Sequence, residues 1–589
     1  MLAELVRRVV DDWAAESGWA EVPACPLERP ADEAHGDYAT PVCMQIASFA
    51  GAKPRDLAER LRDRLLRDPE IAALVDRVEV AGPGFVNFTL GAGAYTAVMR
   101  KMLERGETIG SGPARATPRV NLEYVSVNPN GPLHVGHGRY AAYGDSLQRL
   151  LRFSGVDLAT EFYINDYGRQ MDRFGRSIAA RYAQSFGLDL PIPADGYQGD
   201  YVAAIAAAMR AQVGDLYVDA LRIAAGTGRE DGGARPAGGA EEADFEDDAA
   251  EEASEWPVDP ALTEAVAFFR VGGCAAMLEE MRTELEGFGV VFDCWFSETT
   301  LHTSGRLERV VKRLVDSGEA YREGDAIWLR TTSRGDDKDR VIVRKNGHPT
   351  YFAADIAYHE NKLERGFEHL IDIWGADHHG SVPRMKAAVE ILSGKAGTLE
   401  VIIGQLVNLL EQGELKQMST RRGEMVTLGA LVTAIGKDAA RFFLVSRSQD
   451  QTLDLDLDLA RRQSQDNPVY YVQYAHARIA SILRNVSQEV EAEVPDKEEV
   501  YQSPYERALI KRLESFGDVV LDAAERRAPH RIAAYAQELA ADFHVFYKHC
   551  RVIGVEPAAA ASRLALCLVS KRVISRCLDL LGVSAPLTM

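Results

Sequence analysis

Cysteine is scarce in this chain: seven residues in 589, scattered, with no C-x-x-C pair and no Cys/His cluster. A structural zinc is therefore not expected, and the thiols read as reduced, which points to the cytoplasm. Long apolar runs are lacking: none approaches a membrane span, and Met1–Arg8 does not begin a secretory signal, so no membrane association is expected. Excess positive charge is missing as well, the net charge being −21. That balance disfavours a nucleic-acid binder, but the deficit is largely local. Residues 229–259 hold twelve Asp or Glu against two Arg, a net of −10, which leaves −11 for the remainder. RNA binding depends on a basic patch and not on the sum, so the charge excludes little.

What is present is a soluble composition, 46% apolar and 26% charged, on a chain too long for one core. Residues 1–112 read as an N-terminal α+β domain, with helical patterns at 1–17 and 54–67, a strand-like stretch at 77–90 and a helix at 93–104. Residues 113–455 alternate strands and helices, the pattern of a Rossmann-like, doubly wound parallel sheet. A helical insertion occupies about 181–290. Within it, about 226–256 is low-complexity, acidic and Gly/Ala-rich, with too little apolar surface to offset ordering entropy, and reads as a mobile loop. Residues 456–589 read as an all-α bundle.

One stretch organises the rest, RVNLEYVSVNPNGPLHVGHGR, which ends at Arg139. Val120 to Val127 predicts a buried strand, Asn128-Pro129-Asn130-Gly131-Pro132 a turn, and a helix starts near His134. His134 and His137 share a helical face, and Gly136 and Gly138 let a ligand approach closely. A helix N-terminus offers free N–H groups to an anion, and two imidazoles there can donate to phosphate oxygens. The other expected strands include 290–299, a pair at 326–343 with a turn at Ser333–Asp337, one at 369–375 and one unbroken strand over LEVIIGQLVNLL. LDLDLDLARRQ leads into the C-terminal helices.

HVGH resembles the "HIGH" motif of class I aminoacyl-tRNA synthetases. NPNGPLHVGHGR with Glu-Tyr before it resembles arginyl-tRNA synthetases in particular, and the likeness covers nearly the whole chain. The resemblance implies arginine–tRNA ligation with ATP, through arginyl-adenylate and with release of AMP and pyrophosphate. Activation would require bound tRNA, Mg²⁺ would accompany ATP, and the enzyme would be a monomer. GDYAT and GPGFVNF resemble the N-terminal domain that contacts the tRNA elbow. NPVYYVQYAHARI and the ending LGVSAPLTM resemble the anticodon-binding domain.

The implied ATP site is His134, Gly136 and His137 with Gly375, Asp377 and His378 of the GADHH turn, and Met418 and Ser419 of a mobile loop at 413–423. That loop resembles the KMSKS loop, but Gln417 and Thr420 replace both lysines. Asn130, Gly131 and Pro132 stand where some relatives carry a compensating lysine before the histidines. Lys416 and Arg421 are therefore expected to supply the charge and to act with His134 and His137 in catalysis.

The implied arginine pocket uses Tyr351 to stack on the guanidinium and Asp355 to pair with it, with Glu298 as a second carboxylate. Glu123 and Asn128 face the α-amino and carboxylate groups, and His379 assists. Tyr470, Tyr474 and Arg478 are implied tRNA contacts, through stacking on unpaired bases and charge on phosphate. Two other classes compete: a non-catalytic tRNA-binding relative, supported by the missing loop lysines, and a small-molecule nucleotidyltransferase, disfavoured by the Tyr-rich helical C-terminal region.

Overall fold

The computed structural model describes residues 2–19, 25–28, 30, 32–114, 118–226, 256–415, 426–485, 491–495 and 500–589. Nearly all of the acidic stretch and the 416–425 part of the expected mobile loop lie outside the described residues.

The N-terminal unit packs helices Leu2–Ser17, Val42–Ala50, Pro54–Leu65 and Ala92–Arg105 with an antiparallel sheet of β1 (Tyr38–Thr40), β2 (Val75–Ala81) and β3 (Phe85–Leu90), in the order β1-β3-β2. The 77–90 stretch is thus a hairpin, since Gly82 (φ +52) and Gly84 (φ +151) supply left-handed turn residues. Its GDYAT segment fastens this unit to the C-terminal helices. Asp37 forms an ion pair with Lys511, and the Tyr38 hydroxyl donates to Glu514 at 2.8 Å.

The central sheet contains β4 (Val120–Glu123), β5 (Leu158–Ile164), β6 (Cys294–Ser297), β10 (His369–Gly375) and β11 (Leu399–Gly404). All pairings are parallel and the order is β11-β10-β4-β5-β6. In chain order that is 5-4-1-2-3, the doubly wound arrangement whose switch point lies between the first and fourth strands, here β4 and β10. A small antiparallel sheet, β7 (Ala320–Glu323), β8 (Ala326–Leu329) and β9 (Arg340–Val343), sits beside it.

Four expectations change. The first strand stops at Glu123, not Val127, because Val125 (φ +70) and Ser126 (φ +44) are left-handed. For a β-branched residue that conformation is strained, costing about 1–3 kcal/mol. LEVIIGQLVNLL is two strands. Leu399–Gly404 ends the central sheet, and β12 (Val407–Glu411) joins a second sheet with β13 (Glu414–Leu415) and β14 (Leu453–Asp456). β14 is the LDLD stretch, drawn from the helical pattern by parallel pairing with β12. The Ser333–Asp337 turn is occupied at its start by a 3₁₀ helix, Thr331–Arg334.

The insertion has its own core, which also takes in helix Arg169–Ser185. Helix Pro260–Phe288 is long and apolar enough to cross a membrane by length and composition, contrary to the sequence expectation. Along a 3–4 spaced seam it instead buries Leu262, Ala265, Phe269, Gly273 and Met277 in the inserted core, where it lies against helix Arg169–Ser185, and Met281, Leu285 and Phe288 in the main core. The helices approach closely, and a Cβ on Gly273 would meet Ile178 Cδ1 at 2.2 Å.

From Pro468 the chain is helical, with Pro468–Asn485, Pro504–Glu514, Phe516–Glu525, His530–His549 and Pro557–Leu580. Arg441, wholly buried, joins three parts of the molecule. It donates to Asp145 on the HVGH helix, to the Phe288 carbonyl at the end of the inserted helix (3.1 Å) and to the Leu581 carbonyl after the final helix (2.9 Å). Asp145 also holds Arg149 at 2.8 Å and Gln148 at 2.7 Å, so removing Arg441 takes the donor from the Phe288 and Leu581 carbonyls and leaves a void, without stranding the carboxylate. Arg441→Ala should destabilise the junction by about 2–4 kcal/mol, read as lost hydrogen-exchange protection in Pro557–Leu580. Unchanged protection there would contradict this role.

Candidate active site

The carboxyl ends of β4, β5, β6 and β10 share one edge of the sheet, and the signature residues follow those ends. His134 is the N-cap of helix Val135–Phe153. Its Nδ1 accepts from the His137 backbone N–H, and the His134 backbone N–H donates to His137 Nδ1, both at 3.3 Å. The two rings stack 3.4 Å apart. Gly136 permits this, because a Cβ there would lie 2.8 Å from His134 Cε1. With both Nδ1 atoms accepting, each neutral ring carries its proton on Nε2, so the pair presents two N–H donors. Burial lowers His134 to about 4, and burial together with His134 lowers His137 well below the usual range. Both are neutral donors near pH 7.

The chain on the far side of the 416–425 segment is tied to this turn. Val135 N–H donates to the Val426 carbonyl at 3.1 Å, and Leu428 N–H donates to the Leu133 carbonyl at 2.8 Å. Gly138 lets Leu428 come close, since its Cβ would meet Leu428 Cδ1 at 2.7 Å. Lys416, Met418, Ser419 and Arg421 themselves lie outside the described residues.

Across the switch point, Gly375 ends β10, and Ala376–Ser381 forms a 3₁₀ turn. A Cβ on Gly375 would meet Asp377 Oδ1 at 2.3 Å, so a larger residue there would push the Asp377 carboxylate aside. Asp377 is exposed and pairs with His378 Nε2 at 3.0 Å, which holds its carboxyl below the usual value. His379 is exposed beside them.

Tyr351 and Asp355 lie on the first turns of helix Tyr351–Glu364. Tyr351 is exposed and its hydroxyl lies over Gly168. Asp355 is half-buried, and its carboxylate makes no hydrogen bond or ion pair among the described residues. Burial pushes it up to about 7, His359 opposes, and Glu298 and Glu123 push the same way, with Arg384 opposing more weakly. Glu298 is buried at the end of β6 and meets His302 Nε2 at 3.3 Å. Tyr163 of β5 feels the charges of Glu298, Asp355 and Glu123 together. The structure therefore gathers these three carboxylates. Asn128 donates its side-chain amide to Gln170.

Glu123 points into a buried cluster that sequence reading missed. Lys362, with no exposed surface, donates to Glu123 Oε2 at 2.5 Å and Asp372 Oδ1 at 2.9 Å. His359 bridges Asp372 Oδ2 (2.9 Å) and the Asp355 carbonyl (2.7 Å). Against burial, Lys362 and His359 hold Asp372 down to about 2, whereas burial raises Glu123 despite Lys362. Alternating lysine and acid in IAYHENKLERG carried no sign of this, because Glu123 lies 239 residues away.

The C-terminal residues form a second locus. Tyr470 and Tyr474 stack 6.2 Å apart, and Arg478 lies over Tyr474 at 4.7 Å and over Tyr547 at 5.4 Å. The three tyrosines 470, 471 and 474 are all half-buried, while His476 is buried and bonded to the Pro586 carbonyl. A cavity of ≈ 380 Å³ is lined by Gln465, Tyr471, Arg478, His544, Tyr547 and Lys548.

A doubly wound sheet with an imidazole pair after its first strand and a polar turn after its fourth defines the nucleotide-binding core of a class I aminoacyl-tRNA synthetase. Residues 2–90 match the arginyl-tRNA synthetase N-terminal domain, and residues 472–589 match the DALR anticodon-binding domain. The chain is 46% identical to the arginine–tRNA ligase of Aromatoleum aromaticum over 570 residues, covering 96% of this chain and 95% of that one. It is 41% identical to that of Bacillus subtilis over 569 residues, covering 96% and 95%. The Thermus thermophilus arginyl-tRNA synthetase structure shares the fold, with a TM-score of 0.72 at 22% identity and full coverage of both chains. The chain belongs to the arginyl-tRNA synthetase family, and its activity is that of the family, ATP-dependent aminoacylation of tRNA with arginine.

The Asp355 geometry fixes a pH dependence. Its carboxyl is neutral below about 7, and only its ionised form can pair with a cation, the role the resemblance implies for it toward arginine. Arginine kcat/KM should fall up to about tenfold per pH unit below that value and level off above it, with His134 contributing only near 4. Asp355→Asn should lower kcat/KM strongly and remove the slope. A parent profile flat from pH 6 to 8 would contradict the assignment.

Proposed function

We propose that His134 and His137 donate from Nε2 to the α-phosphate oxygens of ATP as arginine's carboxylate attacks, giving arginyl-adenylate and pyrophosphate. The observation that carries this reading is the reciprocal backbone bonding that leaves both Nε2–H groups as fixed, neutral donors at a helix N-terminus. Gly136 lets the phosphates approach, and Gly375, Asp377 and His378 take the ribose and adenine at the switch point.

Asp355 pairs with the guanidinium, Tyr351 covers it, and Glu298 adds the second carboxylate. The unpartnered state of Asp355 supports this, because a half-buried acid without a cation favours a cationic side chain. Asn128 holds the α-amino end, His379 assists at the rim, and Glu123 acts from beneath through Lys362. Lys416 and Arg421, with Met418 and Ser419, close over the phosphates from the 416–425 segment. Its anchoring at Val426 and Leu428 to the histidine turn supports that placement.

Mg²⁺ enters with ATP; among the described residues no cluster of ligating side chains stands ready to hold an ion. Residues 1–112 contact the tRNA elbow, 113–455 carry catalysis and 456–589 take the anticodon loop. There Tyr470 and Tyr474 offer stacking faces and Arg478 a cation, supported by the neighbouring cavity. Arginine activation waits for bound tRNA, and the enzyme acts as a cytoplasmic monomer.

Replacing His134 or His137 by Asn should lower kcat for charging by about 10²-fold or more, with arginine KM nearly unchanged. A small kcat effect at both positions would remove the imidazoles from the phosphate site. Arg478→Ala should raise the tRNA KM by roughly tenfold and leave the ATP KM alone. Equal changes in both would point to a folding defect instead.

A further inference from the structure

Three side chains reach the signature turn, Tyr197 and Tyr201 from the insertion and Gln170 from helix Arg169–Ser185, which shares the inserted core. Gln170 Oε1 accepts from the side-chain amides of Asn128 and Asn130, the latter at 3.4 Å. Asn130 Nδ2 also donates to the Tyr197 hydroxyl, and the Tyr201 hydroxyl donates to the Asn130 carbonyl, both at 2.8 Å. The tyrosines are seated firmly. Both rings pack on Phe174, and the Tyr197 backbone N–H donates to buried Ser177 Oγ at 3.0 Å.

The turn needs such support. Immediately before it, Val125 and Ser126 are held left-handed, with Ser126 Oγ accepting from Tyr163 N–H at 3.1 Å. A strained segment persists only where its surroundings over-determine it. The contacts also orient chemistry. With one Nδ2 hydrogen of Asn128 held by Gln170, the amide is fixed with its Oδ1, an acceptor, turned away from Gln170. An acceptor suits an ammonium group and disfavours a carboxylate.

We infer that Gln170, Tyr197 and Tyr201 are positioning residues for amino-acid activation, by which the inserted core fixes the Asn128 amide with its oxygen toward the substrate's α-ammonium. This rests on the reading of Asn128 as an arginine contact. The insertion thereby sets the geometry of the turn that leads directly into His134.

The test uses the full-length enzyme with its tRNA, measuring pyrophosphate exchange against arginine concentration, inhibition by 5-guanidinopentanoate, which lacks the α-ammonium, and thermal unfolding. Gln170→Leu should raise arginine KM about tenfold and leave the inhibitor's Ki within about twofold. Gln170→Glu keeps an acceptor in the same place and should retain the parent's arginine KM. Tyr201→Phe should raise arginine KM several-fold without shifting the unfolding midpoint. An unchanged KM in Gln170→Leu, an equal rise in Ki, or failure of Gln170→Glu to rescue would overturn the inference. Asn128→Ala separates the two layers. If it raises arginine KM while Gln170→Leu does not, the clamp is wrong and the contact stands. If neither changes KM, the Asn128 reading falls with the clamp.

Discussion

A buried ammonium sets the electrostatics of the cleft. Lys362 has no exposed surface, and its Nζ sits between carboxylates from β4 and β10, the two strands that flank the switch point. Removing that charge would leave Glu123 and Asp372 facing each other in a low-dielectric interior. With it present, Asp372 is ionised, and His359 carries the cluster to the backbone of Asp355. Lys362 is spent on this pair, so Asp355 and Glu298 have no lysine or arginine hydrogen-bonded to them among the described residues. The two acids are thus left to a cation from outside the chain, and a flat guanidinium has the shape and sign that the proposed arginine site calls for.

The other half of the cleft is built from backbone. The chain leaves β4 through two left-handed residues, passes the Asn128–Pro132 turn and arrives at His134 as a helix cap. Each imidazole takes a backbone N–H of the other's residue, which fixes tautomer and ring direction at once. Burial keeps both rings neutral, so they stand as hydrogen-bond donors rather than as cations, as the proposed phosphate site requires. Distant parts of the chain meet around this helix. Its Asp145 takes Arg441, and its Tyr143 hydroxyl donates to the Arg527 carbonyl at 2.6 Å. The C-terminal helices are thereby fastened to the same rod that carries the histidines, a direct mechanical link between the anticodon-binding domain and the histidine turn.

The parts of the site that are contiguous in sequence were legible there. HVGH, GADHH and the Tyr351–Asp355 spacing each lie within one turn, where residue order reports geometry directly. The parallel sheet was legible because buried strands alternate with helices. What escaped were pairings made across the fold. Lys362 reads as a surface lysine until its partners on two strands are known. Tyr197 and Tyr201 read as part of a polar insertion until they touch Asn130. The end of β4 at Glu123 depends on left-handed residues that no β-propensity reveals, and LDLD became a strand only because β12 lay beside it.

One cleft holds both the imidazole donors and two acids, Asp355 and Glu298, that no lysine or arginine among the described residues hydrogen-bonds. This is tested most directly by solving the structure of the enzyme with a non-hydrolysable arginyl-adenylate mimic, an arginyl sulfamoyl-adenosine. The account predicts its guanidinium about 3 Å from the Asp355 carboxylate and its sulfamoyl oxygens about 3 Å from the Nε2 atoms of His134 and His137. A bound mimic whose guanidinium lies away from Asp355, or whose sulfamoyl group does not reach the histidines, would contradict it.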